Sequence, residues 1–265
     1  MRARHCTFVF SFVAAWLINA PVLAACWSGK AQTVKLQSLT DAGTFVLGDG
    51  RELVLAGLER PVGPAAIAGW RETSADILSQ PVTFYSEGPL AEDRYGRVQA
   101  LVVAGDQVLL QTRIVEAGWA RVHPTRDRRM CTSRLLEVEV QARASRLGIW
   151  SYPTFQSLDA ADTKTLLALD GTYQIVFGQV LDVARKKGRL YLNFGRDWKT
   201  DFTVTVAPSD ARLFDSPMFA GDKSGTADII GRRVRVRGFL SRYNGPSMDV
   251  ATPGQIEFLS NQVRR

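Results

Sequence analysis

Hydrophobic and polar residues alternate along the first part of the chain. Residues 33–39 (TVKLQSL) and 44–58 (TFVLGDGRELVLAGL) place apolar side chains two positions apart, with a glycine-rich turn at 48–50. The same period appears in residues 81–87 (PVTFYSE) and 97–105 (RVQALVVAG). A period of two is typical of strands that bury one face. The pattern therefore predicts five strands before residue 106.

Three segments of the same region have the spacing of helices instead. A short helix is predicted within residues 64–80, where Pro64 is well suited to the first helical position. A second is predicted within residues 107–123, ending near a glycine. The clearest lies in residues 131–150, whose apolar positions share one face up to Gly148. The predicted order is β-β-β-α-β-β-α-α, an α+β domain over residues 33–150.

The second half has a strand pattern with few helical positions. Residues 151–170 are mixed and are predicted to be a linker. Short alternating segments with turn residues between them then fill residues 171–260. These segments are 172–195, 201–208, 232–250 and 255–259. They predict an all-β domain, a small barrel or sandwich.

The first 25 residues have the layout of a secretory signal peptide. A basic head precedes an apolar run from Phe8 to Ile18 and then small residues, and the run is short for a membrane span. We therefore expect an exported protein, periplasmic or extracellular, with no transmembrane helix in the mature chain. Cys26, which follows the predicted signal, has two possible fates. The preceding Leu23-Ala24-Ala25 resembles a bacterial lipobox, which would make Cys26 a lipid anchor, whereas an even pair of cysteines favours a disulfide with Cys131.

The net charge of the chain indicates what kind of partner it is expected to bind. The chain carries a formal net charge of +7, and residues 1–25 contribute two arginines and no acids, so the remainder is still basic. Its hydrophobic fraction of 46% and charged fraction of 22% exclude a disordered chain. A basic globular protein suits an anionic partner such as nucleic acid or anionic lipid.

Three segments of the first half resemble the micrococcal (staphylococcal) nuclease, or thermonuclease-like, family. They are residues 39–61 (LTDAGTFVLGDGRELVLAGLERP), 92–122 (EDRYGRVQALVVAGDQVLLQTRIVEAGWARV) and 135–150 (LLEVEVQARASRLGIW). The resemblance implies an OB-type five-stranded barrel with three helices over residues 33–150. The all-β second half is predicted to be a smaller OB-like barrel.

The family's activity implies a set of site residues. It hydrolyses phosphodiesters with Ca²⁺ held by acidic oxygens, a glutamate that positions the attacking water, and two arginines that neutralise charge on the phosphoryl group. On this chain the resemblance assigns metal ligation to Asp41 and Glu59, catalysis to Glu59 and Arg97, and phosphate contact to Arg94, Tyr95 and Arg97. The cofactor would be Ca²⁺ or another divalent cation.

The chain departs from that pattern at several positions, and three of them lack a group that the chemistry needs. Gly43 stands where the family has a metal-binding aspartate, Val54 where it has a phosphate-binding arginine, and Val62 where it has the water-positioning glutamate. The pattern therefore predicts a degenerate site. An alternative interpretation of Arg97 is a structural pair with Asp93 in a hairpin, and Asp41 and Glu59 can equally be a turn residue and a surface acid.

Two stretches of the second half combine features of nucleic-acid binding. Three aromatic residues, Tyr191, Phe194 and Trp198, lie among Arg185, Lys186, Lys187, Arg189 and Arg196. Bases stack on aromatic rings while cations follow the phosphates, so the stretch fits single-stranded nucleic acid, although alternate members are expected to fill the core. Residues 232–239 alternate Arg233, Arg235 and Arg237 with apolar residues, which predicts a basic stripe or an ordinary solvent face.

Three functions follow from the sequence. The first is an exported thermonuclease-like protein that binds single-stranded nucleic acid or another polyanion without family-type catalysis. The second is an active metal-dependent nuclease with a rearranged site. The third is an envelope structural or interaction protein with no role in nucleic-acid binding.

Overall fold

Five strands of the N-terminal half close into a barrel in the order β1-β2-β3-β5-β4. The computed structural model describes residues 30–78, 80–86, 92–93, 95–105, 108–126, 129–220 and 227–259. The barrel strands are β1 (Lys30–Leu39), β2 (Phe45–Leu47), β3 (Glu52–Leu55), β4 (Pro81–Ser86) and β5 (Val98–Val103). Only β3 and β5 pair in parallel within this barrel, and α1 lies between β3 and β4 in the chain. The alternating apolar residues fill the barrel, and Leu36, Phe45, Leu53 and Phe84 have no exposed surface.

Three helices pack around this barrel: α1 (Pro64–Thr73), α2 (Leu110–Glu116) and α3 (Arg129–Ala144). Glycines allow the ends of α2 and α3 to meet backbone against backbone. Gly118 has φ of 77°, and a Cβ there would lie 2.4 Å from the carbonyl oxygen of Leu147. The amide of Ile149 donates to the carbonyl of Gly118 at 2.9 Å. The predicted barrel with three helices is confirmed.

The second half is mostly an eight-stranded sheet, which confirms its strand-rich character. The strands run in the order β6-β7-β11-β12-β10-β9-β8, with β13 paired to β11. They are β6 (Leu158–Asp159), β7 (Tyr173–Gln179), β8 (Asp182–Lys186), β9 (Arg189–Asn193), β10 (Thr203–Val206), β11 (Arg233–Arg242), β12 (Pro246–Asp249) and β13 (Ile256–Phe258). Two short helices, α4 (Thr163–Ala168) and α5 (Pro217–Ala220), complete this half.

The segment 151–170, which the composition predicts to be a linker, is structured. It contains β6, which pairs in parallel with β7, and α4, whose N-terminus is capped by the Asp162 side chain through a bond from the amide of Thr165. Leu166 of α4 is buried in the core of the second half. The linker prediction is wrong here because the polar residues of this stretch serve as turns and a helix cap.

The two halves share a small apolar core of their own. It joins Ala66 of α1, Ala142 of α3 and Ile175 of β7 around Ile149 and Trp150. The predicted signal peptide and Cys26 lie outside the described residues. No helix in the described part of the chain is both long and apolar enough to cross a membrane.

Candidate functional site

Glu59, the predicted catalytic acid and metal ligand, is held by an arginine. Just after β3 the chain runs beside residues 121–123: Leu58 bridges Val122, and the amide of Glu59 donates to the carbonyl of Arg121 at 2.9 Å. Arg121 Nε donates to Glu59 Oε2 at 2.6 Å, and Nη2 donates to Oε1 at 2.9 Å. Both carboxylate oxygens are thus engaged in a bidentate pair, the geometry in which arginine binds carboxylates most strongly.

The second half of the chain covers this pair. Arg121 Nη1 donates to Gln174 Oε1 of β7 at 3.4 Å, and the guanidinium lies 5.2 Å from the ring centroids of Phe155 and Tyr173. The Tyr173 hydroxyl donates to the carbonyl of Val122 at 2.8 Å. Only 4% of the Arg121 side chain and 13% of the Glu59 side chain are exposed. The carboxylate that the resemblance assigns to catalysis therefore lies where the two halves meet.

Burial dominates the electrostatics of Glu59. Loss of solvent raises the pKa of its carboxyl above the ordinary value, and the hydrogen bonds and charge of Arg121 oppose that rise. A metal ion at this carboxylate would have to displace Arg121 and leave that guanidinium buried without its partner, which is costly.

Gly43, where the resemblance leads us to expect a metal-binding aspartate, lies against a proline. Its φ is 73°, and a Cβ built there would lie 2.3 Å from Cγ and 2.5 Å from Cδ of Pro61. Any side chain at position 43 would collide with that ring. The backbone around Gly43 and Pro61 therefore leaves no room for an aspartate at this position.

Asp41 faces solvent and pairs with a different element. Its side chain is 98% exposed, and its Oδ1 accepts from Arg71 Nη2 of α1 at 3.3 Å. Ca²⁺ takes six to eight oxygen ligands, whereas Asp41 and Glu59 are each bound to a separate arginine. Among the described residues no three His, Cys, Asp or Glu side chains form a group that could hold a metal ion. The donor set does not fit the Ca²⁺ site that the resemblance implies.

Arg97, the predicted phosphate-binding arginine, pairs with Asp93 in a tight hairpin. Arg97 Nε donates to Asp93 Oδ2 at 2.7 Å, and Oδ1 accepts the amides of Tyr95 and Arg97 at 2.8 and 3.1 Å. Burial opposes ionisation of Asp93, but these bonds outweigh it and hold the pKa of Asp93 below its ordinary value. The arrangement matches the structural alternative for Arg97. Tyr95 is 65% exposed with the Arg97 guanidinium 4.9 Å from its ring centroid, and Arg94 lies outside the described residues.

The arginines of β11 form neither the basic stripe nor the solvent face that their alternation predicts. Arg237 is 1% exposed, and its Nη1 donates to Glu139 Oε2 of α3 at 2.5 Å. Arg235 Nη1 donates to Glu257 Oε1 of β13 at 2.8 Å. Both interpretations are therefore wrong for Arg237, which is buried against α3, whereas Arg235 is half-buried. Arg233, at the start of the strand, is exposed.

The aromatic residues of the second half separate into two groups. Phe194 packs on the core with its ring centroid 5.1 Å from that of Phe202, and Tyr191 is half-buried on β9. Trp198 is 55% exposed and has Lys199 Nζ 5.7 Å from its ring centroid. The expected division between core and surface is therefore observed within this one stretch.

A second exposed ring lies on the hairpin beside Trp198. Tyr243, between β11 and β12, is 69% exposed. This hairpin meets the Trp198 loop, since a Cβ at Gly245 would lie 2.7 Å from the carbonyl oxygen of Thr200. We name the surface formed by these two loops the aromatic end. Its exposed members are Arg196, Trp198, Lys199, Arg242 and Tyr243.

The other cations of the stretch have structural partners or lie at a turn. Arg185 pairs with Asp215 at 3.0 Å, and Arg189 pairs with Asp249 at 3.2 Å. Lys186 and Lys187 are exposed at the tip between β8 and β9.

Sequence reasoning misses Arg121, Glu139 and Glu257, the residues that join the two halves. The composition of residues 121–129 (RVHPTRDRR) predicts a solvated basic loop, yet Arg121 at its start is buried. The local signal for burial is the apolar surroundings of Arg121 in "GWARVH". Cys131 is buried in α3, and its predicted disulfide partner Cys26 lies outside the described residues, so the disulfide and the lipid anchor stay predictions.

Comparison with known proteins supports the resemblance to the nuclease family. Residues 70–152 match the family model described as staphylococcal nuclease homologue. The match includes the Arg97 hairpin and α3 but not Asp41, Gly43 or Glu59. The comparison with curated proteins gives no match. The chain therefore contains a staphylococcal nuclease-like domain that includes residues 70–152.

Proposed function

We propose that this protein binds single-stranded nucleic acid or a similar polyanion and that its nuclease-like domain does not perform family-type hydrolysis. The observation that carries the proposal is the bidentate Glu59–Arg121 pair. It gives the surviving acid of the site a structural partner, and the second half of the chain covers it.

The magnitude of the loss supports the absence of family-type catalysis. Removing one preorganised charge-stabilising group costs roughly 10²–10³ in rate. Here Gly43 and Val62 replace two carboxylates and Val54 replaces an arginine, while Arg97 is paired with Asp93. Such losses are not additive, but three missing groups and an engaged fourth leave little of the mechanism.

The aromatic end supports the binding part of the proposal. Trp198 and Tyr243 offer exposed rings on adjacent loops, and Arg196 and Lys199 are exposed on the Trp198 loop. Arg242 is exposed beside Tyr243 in the chain, but its Nη2 donates to the carbonyl of Leu167 at 3.1 Å. Asp197 and Asp201 are also present, and their carboxylates accept backbone amides within the loop. These acids offset part of the positive charge. We therefore expect stacking to supply most of the affinity and salt dependence to be shallow, with a slope of log K against log salt of roughly −1 to −2.

The test is fluorescence anisotropy with labelled single-stranded DNA and RNA, in chelator, over a range of salt. Trp198→Ala and Tyr243→Ala should each weaken binding about 5- to 150-fold, the effect of losing one stacked base. Tyr152→Ala is the matched control, because Tyr152 is also an exposed aromatic residue but follows the turn at Gly148–Ser151, which packs against α1 and α3. The proposal is wrong if no binding occurs at low salt, or if the control weakens binding as much as the two variants.

The other parts of the proposal concern location. The pattern of residues 1–25 supports export to the periplasm or beyond. Intact-mass measurement of protein recovered from an exporting host tests this, since the mature chain should begin near Cys26. The same spectrum separates the two fates of Cys26: a disulfide with Cys131 removes two hydrogens, whereas lipidation adds an acylated group. Lipidation together with no nucleic-acid binding would favour the envelope-protein alternative.

A further inference from the structure

A groove lies between the C-terminal part of α3 and the part of the second sheet formed by β7 and β11, outside the residues that the nuclease resemblance assigns. Its volume is about 470 Å³, and no carboxylate of the described residues lines it. Its polar lining consists of Arg143, Gln156, Ser157, Arg233 and Arg235. Three guanidinium groups therefore face one cavity from α3 and β11.

The positive charge around the groove exceeds the negative charge beneath it. Glu257 Oε1 accepts from both Arg143 Nη2 and Arg235 Nη1 at 2.8 Å. Glu139 forms a buried ion pair with Arg237. Two carboxylates are thus paired with three arginines, and the exposed Arg233 adds a fourth positive charge.

Two buried N–H donors at the groove have no hydrogen-bond partner within the described residues. They are Nη1 of Arg143 and Nε of Arg235. Arg143 Nη1 forms a long ion pair at 3.9 Å with Glu139 Oε1, an oxygen that is also buried without a hydrogen-bond partner in the described part of the chain. Glu139 therefore accounts for the Arg143 donor, whereas Nε of Arg235 has no acceptor among the described residues. Buried donors are almost always satisfied in folded proteins, so Arg235 is the residue here that calls for one.

The electrostatics of Arg235 agree with this geometry. Burial, and next the positive charge of Arg143, lower the pKa of Arg235 below its ordinary value, although Glu257 opposes the shift. An anion in the groove would offset the repulsion between these two guanidinium groups.

We infer that this groove is a binding site for a phosphate group, held by Arg143, Arg233 and Arg235. Phosphate offers several acceptor oxygens in a tetrahedral arrangement and can accept from arginines on different elements at once. The cavity exceeds the size of a bare phosphate ion, so it can also admit a phosphate monoester. The inference does not depend on nucleic-acid binding at the aromatic end.

The first experiment is calorimetric titration of the purified protein with inorganic phosphate, with chloride at matched ionic strength as reference. Arg233→Gln is the principal variant, because the described structure records no ion pair for the Arg233 side chain and the fold should persist. We expect it to weaken phosphate binding about tenfold, and Arg143→Lys to weaken it as well. Arg134→Gln is the matched control, since Arg134 is on the same helix as Arg143 and pairs with Glu137 in solvent; it should bind as the unchanged protein does.

A second arm compares a short oligonucleotide carrying a 5′-phosphate with the same oligonucleotide carrying a 5′-hydroxyl, both in the Trp198→Ala background. Tighter binding of the phosphorylated form identifies a terminal phosphate monoester as a ligand, and binding of inorganic phosphate alone identifies the free ion. Heat of binding no greater for phosphate than for chloride would overturn the inference. Phosphate binding that Arg233→Gln and Arg143→Lys both leave unchanged would overturn it equally, because the ion would then lie elsewhere.

Discussion

Replacing Glu59 with glutamine separates a structural carboxylate from a metal ligand. The substitution keeps the side-chain volume and one hydrogen-bond acceptor but removes the charge that faces Arg121. The paired atoms lie 2.6 and 2.9 Å apart, and both side chains are largely buried. We expect Glu59→Gln to destabilise the protein substantially, with or without calcium.

The size of the effect follows from the burial of Arg121. Breaking a buried pair by removing one partner costs about 3–5 kcal/mol, chiefly because the other charge is left without compensation. Glutamine still accepts one hydrogen bond from Arg121, which places the expected loss at the lower end, about 3 kcal/mol. For a protein of this size, 1 kcal/mol corresponds to about 2–4 °C in Tm, so a decrease of roughly 6–12 °C is expected.

The assay is urea unfolding at pH 7, in calcium and in chelator. Asp41→Asn is the matched control, because Asp41 is the other candidate ligand and its exposed pair with Arg71 should contribute within about 0.5 kcal/mol. Adding Arg121→Gln to Glu59→Gln should cost much less than Arg121→Gln does alone, since no unpaired charge would remain. The reasoning fails if Glu59→Gln leaves stability in chelator unchanged and instead abolishes a stabilisation by calcium that Asp41→Asn also abolishes.

Three further predictions concern residues in or near the positions that the resemblance assigns to the site. Gly43→Asp should lower the free energy of unfolding by about 2 kcal/mol or more and confer no calcium-dependent stability, because its Cβ would meet Pro61; a calcium-stabilised variant would contradict this. Asp93→Asn should cost about 1 kcal/mol and speed amide exchange in the Arg97 hairpin, and unchanged exchange would count against the pair. Burial lowers the pKa of His123, so the unfolded chain takes up this proton at a higher pH than the folded protein does. The free energy of unfolding should therefore decrease as pH falls below about 6.5, by at most about 1.4 kcal/mol for each pH unit. His123→Gln should remove that pH dependence, and a pH dependence that persists in the variant would refute the assignment.

Much of the first half could be predicted because its signals are local. Alternation in residues 33–58 reports a buried strand face, and Gly118 and Gly148 mark helix ends whose backbones must approach closely. Each of these features is determined by residues that are close together in the sequence. The same holds for the Asp93–Arg97 pair, whose partners are four residues apart.

The interface between the halves could not be predicted in the same way. Arg121 meets Glu59 and Gln174, and Arg237 meets Glu139, across long separations in sequence. A period of two places Arg237 on one face of β11 but does not say whether solvent or α3 covers that face. The resemblance likewise indicates that an aspartate is missing at Gly43, but only the fold shows that Pro61 fills the space.

The central claim is that the nuclease-like domain has exchanged its catalytic carboxylate for a contact between the two halves. Its most direct test is cleavage of single- and double-stranded DNA and RNA by the purified protein in calcium, manganese or chelator, with Glu59→Gln as comparison. We predict no metal-dependent cleavage at any protein concentration, and no difference between the two proteins under conditions where both are folded. Cleavage that requires a metal and disappears in folded Glu59→Gln would contradict the account, because it would make Glu59 a working ligand.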